Sequence, residues 1–184
     1  MTEELLVHHC APTLAGLKVG ALVNTDFENL DCFQAWVDEV NQKLTAKGVR
    51  VCPLRVRERR ALLYVYRPKQ LAITLAREEV SQILSQFGYQ HGVSVEEALE
   101  RLKLNLQESD AFPHEIGLFL GYPAEDVQGF IENRVCGAKM SGIWKVYSDV
   151  EKAARMFCRF RKCSEIYAAR WREGLTLARL TVAI

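Results

Sequence analysis

At 184 residues the chain is long enough to bury a sizeable core within one domain. It is 49% hydrophobic and 26% charged, an ordinary balance for a globular protein. The net charge of +1 leaves no global pull toward nucleic acid or anionic membrane, and no apolar run reaches the ~18 residues of a membrane span.

The N-terminus, MTEELLVHHCAP, opens acidic and lacks the basic start and long apolar stretch of an export signal, so the cytoplasm is the expected compartment. Within it, His8-His9-Cys10 is the densest group of ligand-type side chains. In an extended segment His8 and Cys10 share one face. Pro12 suits the opening of a short helix ending at Gly16, which would leave Cys10 at a helix N-terminus. A thiol so placed is more acidic and more reactive.

Residues 17–23, LKVGALV, predict a buried strand. Thr25 or Asp26 can cap a helix from Phe27, whose stripe Leu30, Phe33, Val37, Val40 and Leu44 has helical period; Gly48 stops it. VRVCPLRV (49–56) and ALLYVYR (61–67) predict an antiparallel hairpin, with Pro53 marking an edge strand or a bulge. The tip of this hairpin is basic. Arg57 and Arg59 are candidate contacts for a phosphate-bearing ligand or an acidic partner, and the plainer reading is a solvated surface.

From Pro68 the pattern turns helical, giving a helical insertion over 67–135 of one domain spanning 1–184. Helices are predicted at 81–87 and 94–106, the second opened by a Ser94/Glu97 capping box. FPHEIGLFLGYPAEDVQGFIENR (112–134) then predicts two short helices begun by Pro113 and Pro123. Gly117, Gly121, Val127 and Phe130 fall at helix-turn-helix spacing. Glu125 and Asp126 stand where a recognition helix would meet phosphates, and the nearest cation, Arg134, lies beyond the helix; DNA reading is therefore disfavoured. Carboxylates at a helix start complement its dipole instead. His114 falls in the first helical turn, where a neutral imidazole can act as base or metal ligand. Neighbouring Glu115 points roughly 100° away around a helix and cannot orient it in the usual triad manner.

GIWKVY (142–147) predicts a strand, with Trp144 and Tyr147 either stacking on a flat ligand or packing under helices. Asp149 caps a long helix to about Arg172, with a stripe Val150, Ala153, Ala154, Phe157, Phe160, Ile166 and Tyr167. The tail LTLARLTVAI forms a last strand or docks loosely. The expected class is α+β: an antiparallel sheet of about four strands, with a ferredoxin-like core as one variant.

Six cysteines without a C-x-x-C are expected to be thiols rather than a disulfide framework. Cys158 and Cys163 fall on different helix faces, and no spacing is diagnostic of zinc. Cys10, His114 and Glu115 have the residue types of a thiol-based active site. His8, Cys10, His114 and Cys136 are the candidate metal ligands.

Three stretches, HCAPTLAGLK (9–18), FPHEIGLFLGYPAEDVQGFIEN (112–133) and GIWKVYSDVEKAARMF (142–157), are similar to a bacterial family catalogued as domain of unknown function 3793. YVYRPKQL (64–71) fits as well, and the loop 134–141 departs mildly. The resemblance implies a bacterial, cytosolic, single-domain protein, and it carries over no catalytic residue, cofactor or ligand. The leading expectation is binding of a small ligand, metal or cofactor near Cys10 and His114. One alternative is a thiol enzyme with Cys10 as nucleophile. Another is a protein-interaction module built on the 112–134 hairpin, its acidic side outward. No nucleic acid and no membrane are expected as partners.

Overall fold

The computed structural model describes residues 2–108, 112–133 and 136–184. The first elements are α1 (Glu3–Leu14), β1 (Gly20–Asp26), α2 (Leu30–Leu44), β2 (Arg50–Arg57) and β3 (Arg60–Tyr66). Then come α3 (Pro68–Leu75), α4 (Glu78–Ser85), α5 (Val95–Glu108), α6 (Ile116–Phe119) and α7 (Ala124–Asn133). The chain closes with β4 (Met140–Ser141), β5 (Lys145–Val146), α8 (Val150–Arg172) and α9 (Leu177–Leu180). The class is α+β. By their internal contacts the residues fall into two compact units, one made of the chain up to Gln70 with Lys162–Ile184, the other of Leu71–Arg161.

In the first unit an antiparallel sheet of three strands runs in the order β1-β3-β2. β1 and β2 are therefore parallel, with β3 inserted between them, and α2 connects them. This is the split strand-helix-strand arrangement of a ferredoxin-like core over three strands. Among the described residues no fourth strand joins this sheet. The 142–147 stretch gives only β5, which pairs with β4 in a separate ribbon, and the tail folds as α9.

The central position of β3 explains its composition. ALLYVY is buried at every residue, whereas β1 and β2 alternate. Pro53, which has no N–H to give a ladder, lies on the edge strand β2, and the register shifts between Pro53 and Arg55. The hairpin turn Glu58-Arg59 forms without Asn-Gly, with Glu58 at φ 53°. α2 starts at Leu30 rather than Phe27 because Asn29 is its cap, accepting from Cys32 N–H at 3.0 Å. Its stripe Phe33, Val37, Val40 and Leu44 packs with Val51, Leu63 and Val65 of the sheet.

The N-terminal segment differs from the extended reading. α1 begins at Glu3, so Cys10 lies well inside a helix and Pro12 sits in its last turn. Leu6, Val7, Cys10, Ala11 and Leu14 form the buried face, a helical period that places His8 and His9 outside. Arg67 ties the end of this helix to the tail. It is 2% exposed, and it donates to the carbonyls of Thr13 at 2.7 Å, Leu14 at 2.7 Å and Val182 at 2.8 Å. The carbonyl-rich end of α1 supplies the negative potential that a buried guanidinium needs.

The second unit is helical with one small ribbon. α4 starts at Glu78 rather than Ser81, and the capping box of α5 is formed, Ser94 and Glu97 bonding reciprocally at 3.0 and 3.2 Å. α6 and α7 make the predicted hairpin. Gly121 turns the chain at φ 74°, and Gly117 lets the helices approach, since an added Cβ would stand 2.9 Å from Val127 Cγ2. Arg134 lies outside the described residues. Asp149 caps α8 by accepting from Lys152 N–H at 2.9 Å. The buried stripe of α8 is Ala153, Phe160 and Cys163; Ala154 and Ile166 are exposed.

Candidate functional site

The second unit contains a cavity of about 420 Å³. Leu120 of the α6–α7 hairpin, Val127 and Phe130 of α7, and Trp144 of the ribbon supply its apolar walls; Phe112, Pro113 and His114 close one side. The His114 ring stands edge-on to Phe130, with centroids 5.0 Å apart and planes at 84°. Trp144 stacks on Tyr122 at 4.7 Å, and Phe157 abuts it edge-on at 4.4 Å. The result is a rigid aromatic corner with few polar groups.

Asp126 holds that corner in place. It is 2% exposed and accepts hydrogen bonds from Trp144 Nε1–H at 2.7 Å, from the backbone N–H groups of Tyr147 and Ser148, each at 2.8 Å, and from the Ser148 hydroxyl at 2.8 Å. Burial pushes its carboxyl upward, but these donors outweigh burial and hold it below the usual carboxylate range. The acidic face expected to point outward from the hairpin is therefore corrected at this residue: Asp126 points inward, and Glu125 alone of the pair is exposed.

Phe112, Pro113 and His114 also line a second, more polar cavity of about 440 Å³, bordered by Arg101, Asn105, Glu108 and Glu115. Glu115 is bonded to residues of other segments. Its Oε1 accepts from Asn105 Nδ2–H at 2.8 Å and from the Tyr89 hydroxyl at 3.3 Å. Burial, then the charge of Glu115, hold the Tyr89 phenol far above its ordinary range.

The remaining predicted residues lie elsewhere. Cys10 is wholly buried in the core of the first unit, among Leu6, Leu14 and Val65. Burial pushes its thiol up to about 12, with the nearby charge of Lys18 offsetting part of the shift. The reactive-thiol reading is corrected here: a helix-interior cysteine in an apolar core gains nothing from the free N–H groups of a helix start. His8 is exposed and lies 3.6 Å from Glu4, and Cys136 is an exposed thiol. Among the described residues no three His, Cys, Asp or Glu side chains come together as a metal site. Arg57 and Arg59 are exposed at the hairpin tip; Arg59 borders a shallow cleft with Asp26 and Glu28 in the first unit. Tyr147 covers Gly129, where an added Cβ would lie 2.6 Å from its ring. All six cysteines are free thiols.

His114 and Trp144, singled out in the sequence, border the first cavity; Phe130, Arg101 and Asn105, which border one cavity or the other, were not singled out as wall residues. Their only signal was periodicity, which also describes ordinary packing. No helix among the described residues is long and apolar enough to cross a membrane. No curated protein and no solved structure matches the chain. A family model described as a protein of unknown function, DUF3793, matches residues 6–181. With the match covering nearly the whole length, from within α1 to beyond α9, the chain belongs to the DUF3793 family.

Proposed function

We propose that the second unit binds a small, flat, largely apolar molecule in the cavity between His114, Phe130 and Trp144. The observation that carries this reading is the cavity itself: about 420 Å³, aromatic-walled, with a few polar edges. That size falls within the roughly 300–1,000 Å³ range of small-molecule sites. The rigid Tyr122–Trp144 stack supplies a flat face, and His114 supplies a polar edge for orientation. This narrows the expected site near Cys10 and His114 to the His114 side. The metal reading gains no support from the side-chain placement. The free thiols favour a reducing, cytoplasmic setting. An exposed carboxylate at the start of α7 argues against phosphate contacts there.

Calorimetric titration with 2-naphthalenemethanol tests the reading. Binding is expected, and Leu120→Trp, which fills the cavity, is expected to weaken it at least about tenfold, equivalent to roughly 1.4 kcal/mol. His114→Ala, which removes one wall ring, is a milder second variant. Absence of binding to a folded wild-type chain, or equal binding by both variants, sinks the proposal.

A further inference from the structure

Two helices carry stripes of opposite charge built on the same spacing. α8 has seven basic side chains against Glu151 and Glu165, and α5 has four glutamates against Arg101 and Lys103. On α8, Lys162, Ile166 and Arg170 follow one another at four-residue steps; on α5, Glu100, Leu104 and Glu108 do the same. Each step of four advances about 40° around a helix, so each trio keeps to one face over ~12 Å. Ile166 is 49% exposed and Leu104 45%, and the four charged residues flanking them are exposed as well. A single exposed Leu or Ile is ordinary. Two of them, one framed by cations and the other by carboxylates at identical spacing, form a matched pair.

Laid side by side, parallel or antiparallel, the two stripes cover Leu104 with Ile166 and set both carboxylates against cations. Either stripe facing its own copy would set like charges together, which is costly. We propose that a second copy of this chain docks its α8 stripe, Lys162–Ile166–Arg170, on the α5 stripe, Glu100–Leu104–Glu108, of the first. Glu100 already bonds Lys103, and Arg170 bonds Glu173. Those pairs are exposed and therefore weak, so exchanging them for pairs between copies costs little. The apolar contact supplies attraction, and the charges select the partner and its register. A contact of this length is small, which makes the association weak and concentration-dependent. Each stripe lies within one unit, and none of its residues lines the aromatic cavity, so self-association and ligand binding there are separate properties.

Sedimentation velocity of the full chain over about 10–300 µM, in about 50 mM and about 500 mM NaCl, tests the contact. The sedimentation coefficient is expected to rise with concentration at low salt, with association at least about tenfold weaker at high salt. Lys162→Glu/Arg170→Glu makes both stripes acidic, and Glu100→Lys/Glu108→Lys makes both basic. Each double variant is expected to self-associate at least about tenfold more weakly than wild type. The chain with all four changes again carries opposite stripes, and its net charge returns to the wild-type +1. It is expected to associate as wild type does, a rescue that a change in overall charge cannot produce. All four positions are exposed, so these variants are expected to fold. A wild type that stays monomeric at low salt overturns the proposal. So does a smaller loss in either double variant, or a fourfold variant that fails to recover.

Discussion

Trp144 donates its indole N–H to Asp126 Oδ2 at 2.7 Å, which joins the ribbon to the second helix of the hairpin. The other carboxylate oxygen collects the Tyr147 and Ser148 amides and the Ser148 hydroxyl. Every donor here is N–H or O–H, so only an oxygen pair satisfies them all. Asp126→Asn keeps the shape but must turn an NH2 toward either the indole or the backbone amides. A cost of roughly 2–4 kcal/mol is expected from the lost charge-assisted bonds and one donor–donor conflict. Exposed Glu125→Gln should change stability by less than about 0.5 kcal/mol. Urea unfolding of both variants checks the contrast.

The same carboxyl predicts a direction for acid stability. Its folded pKa is depressed, so the unfolded chain binds the proton more readily than the folded one. The contribution is complete above the unfolded value of roughly 3.9 and is lost as pH falls through the folded value. Wild type should therefore lose stability below about pH 4, and the gap between wild type and Asp126→Asn should shrink there. A gap that stays constant from pH 6 to pH 3 would show that the carboxylate is not held in its charged form.

Gly129 sets helix propensity against packing. Alanine in a helix interior gains about 1 kcal/mol over glycine. Here its Cβ would lie 2.6 Å from Tyr147 Cγ and 2.8 Å from Tyr147 Cβ, inside any real contact distance. Tyr147 cannot retreat freely, because its backbone N–H is fixed on Asp126. Overpacking costs about 1–3 kcal/mol, so Gly129→Ala is expected to destabilise on balance. Among the described residues Gly137→Ala meets nothing within 4 Å but carries a φ of 76°, so the penalty expected there is conformational. Thermal melts of both variants, with Asp126→Asn for scale, give the ordering.

What was legible in the sequence was local. The stripe of α2, the Ser94–Glu97 box, the Asp149 cap and the edge position of Pro53 each depend on neighbours within a few residues. What was not legible depends on distant pairs. The donors to Asp126 lie 18 to 22 residues downstream, and the tail carbonyl that accepts from Arg67 lies 115 residues away. Asp126 beside Glu125 looks the same in sequence whether it faces solvent or an indole. α1 was misread because Pro12 suits a helix start, and only the Leu6–Val7–Cys10–Leu14 spacing, set against it, shows a helix already under way. His114 and Trp144 stand out in the sequence by their chemistry, whereas Arg101 and Asn105, on α5, look like ordinary helix surface.

Arg67 tests how far a buried charge can rest on carbonyls alone. Burial lowers its pKa, and among the described residues its hydrogen-bond acceptors are backbone oxygens of Thr13, Leu14, Lys47 and Val182. Arg67→Lys keeps the charge but loses the planar fork, so one ammonium cannot reach all of these acceptors. A loss of roughly 2–4 kcal/mol is expected, with Arg67→Met at least as severe because the carbonyls lose every hydrogen bond from this side chain. Hydrogen exchange of the Val182 amide, which donates to Leu14 O at 3.0 Å, should quicken in both variants. Unchanged protection there would mean that the tail is held by α9 packing instead.

Cys10 should be the slowest thiol in the chain. It is buried at 0% exposure, and burial pushes its thiol up to about 12, far from the pH at which thiolates form readily. Cys32, Cys136 and Cys158 are exposed. At pH 7.5 iodoacetamide is expected to alkylate those three at least about a hundredfold faster than Cys10, as read by peptide mass spectrometry over time. Adding 6 M urea should bring Cys10 to the rate of the others, because its protection comes from the fold. A Cys10 that reacts in the native chain as fast as Cys136 would reverse the assignment and restore the thiol as a candidate nucleophile. Cys10→Ala gives the complementary measure: removing a sulfur packed among Leu6, Leu14 and Val65 is expected to cost roughly 1–2 kcal/mol through a small cavity, with no change in probe binding at the second unit.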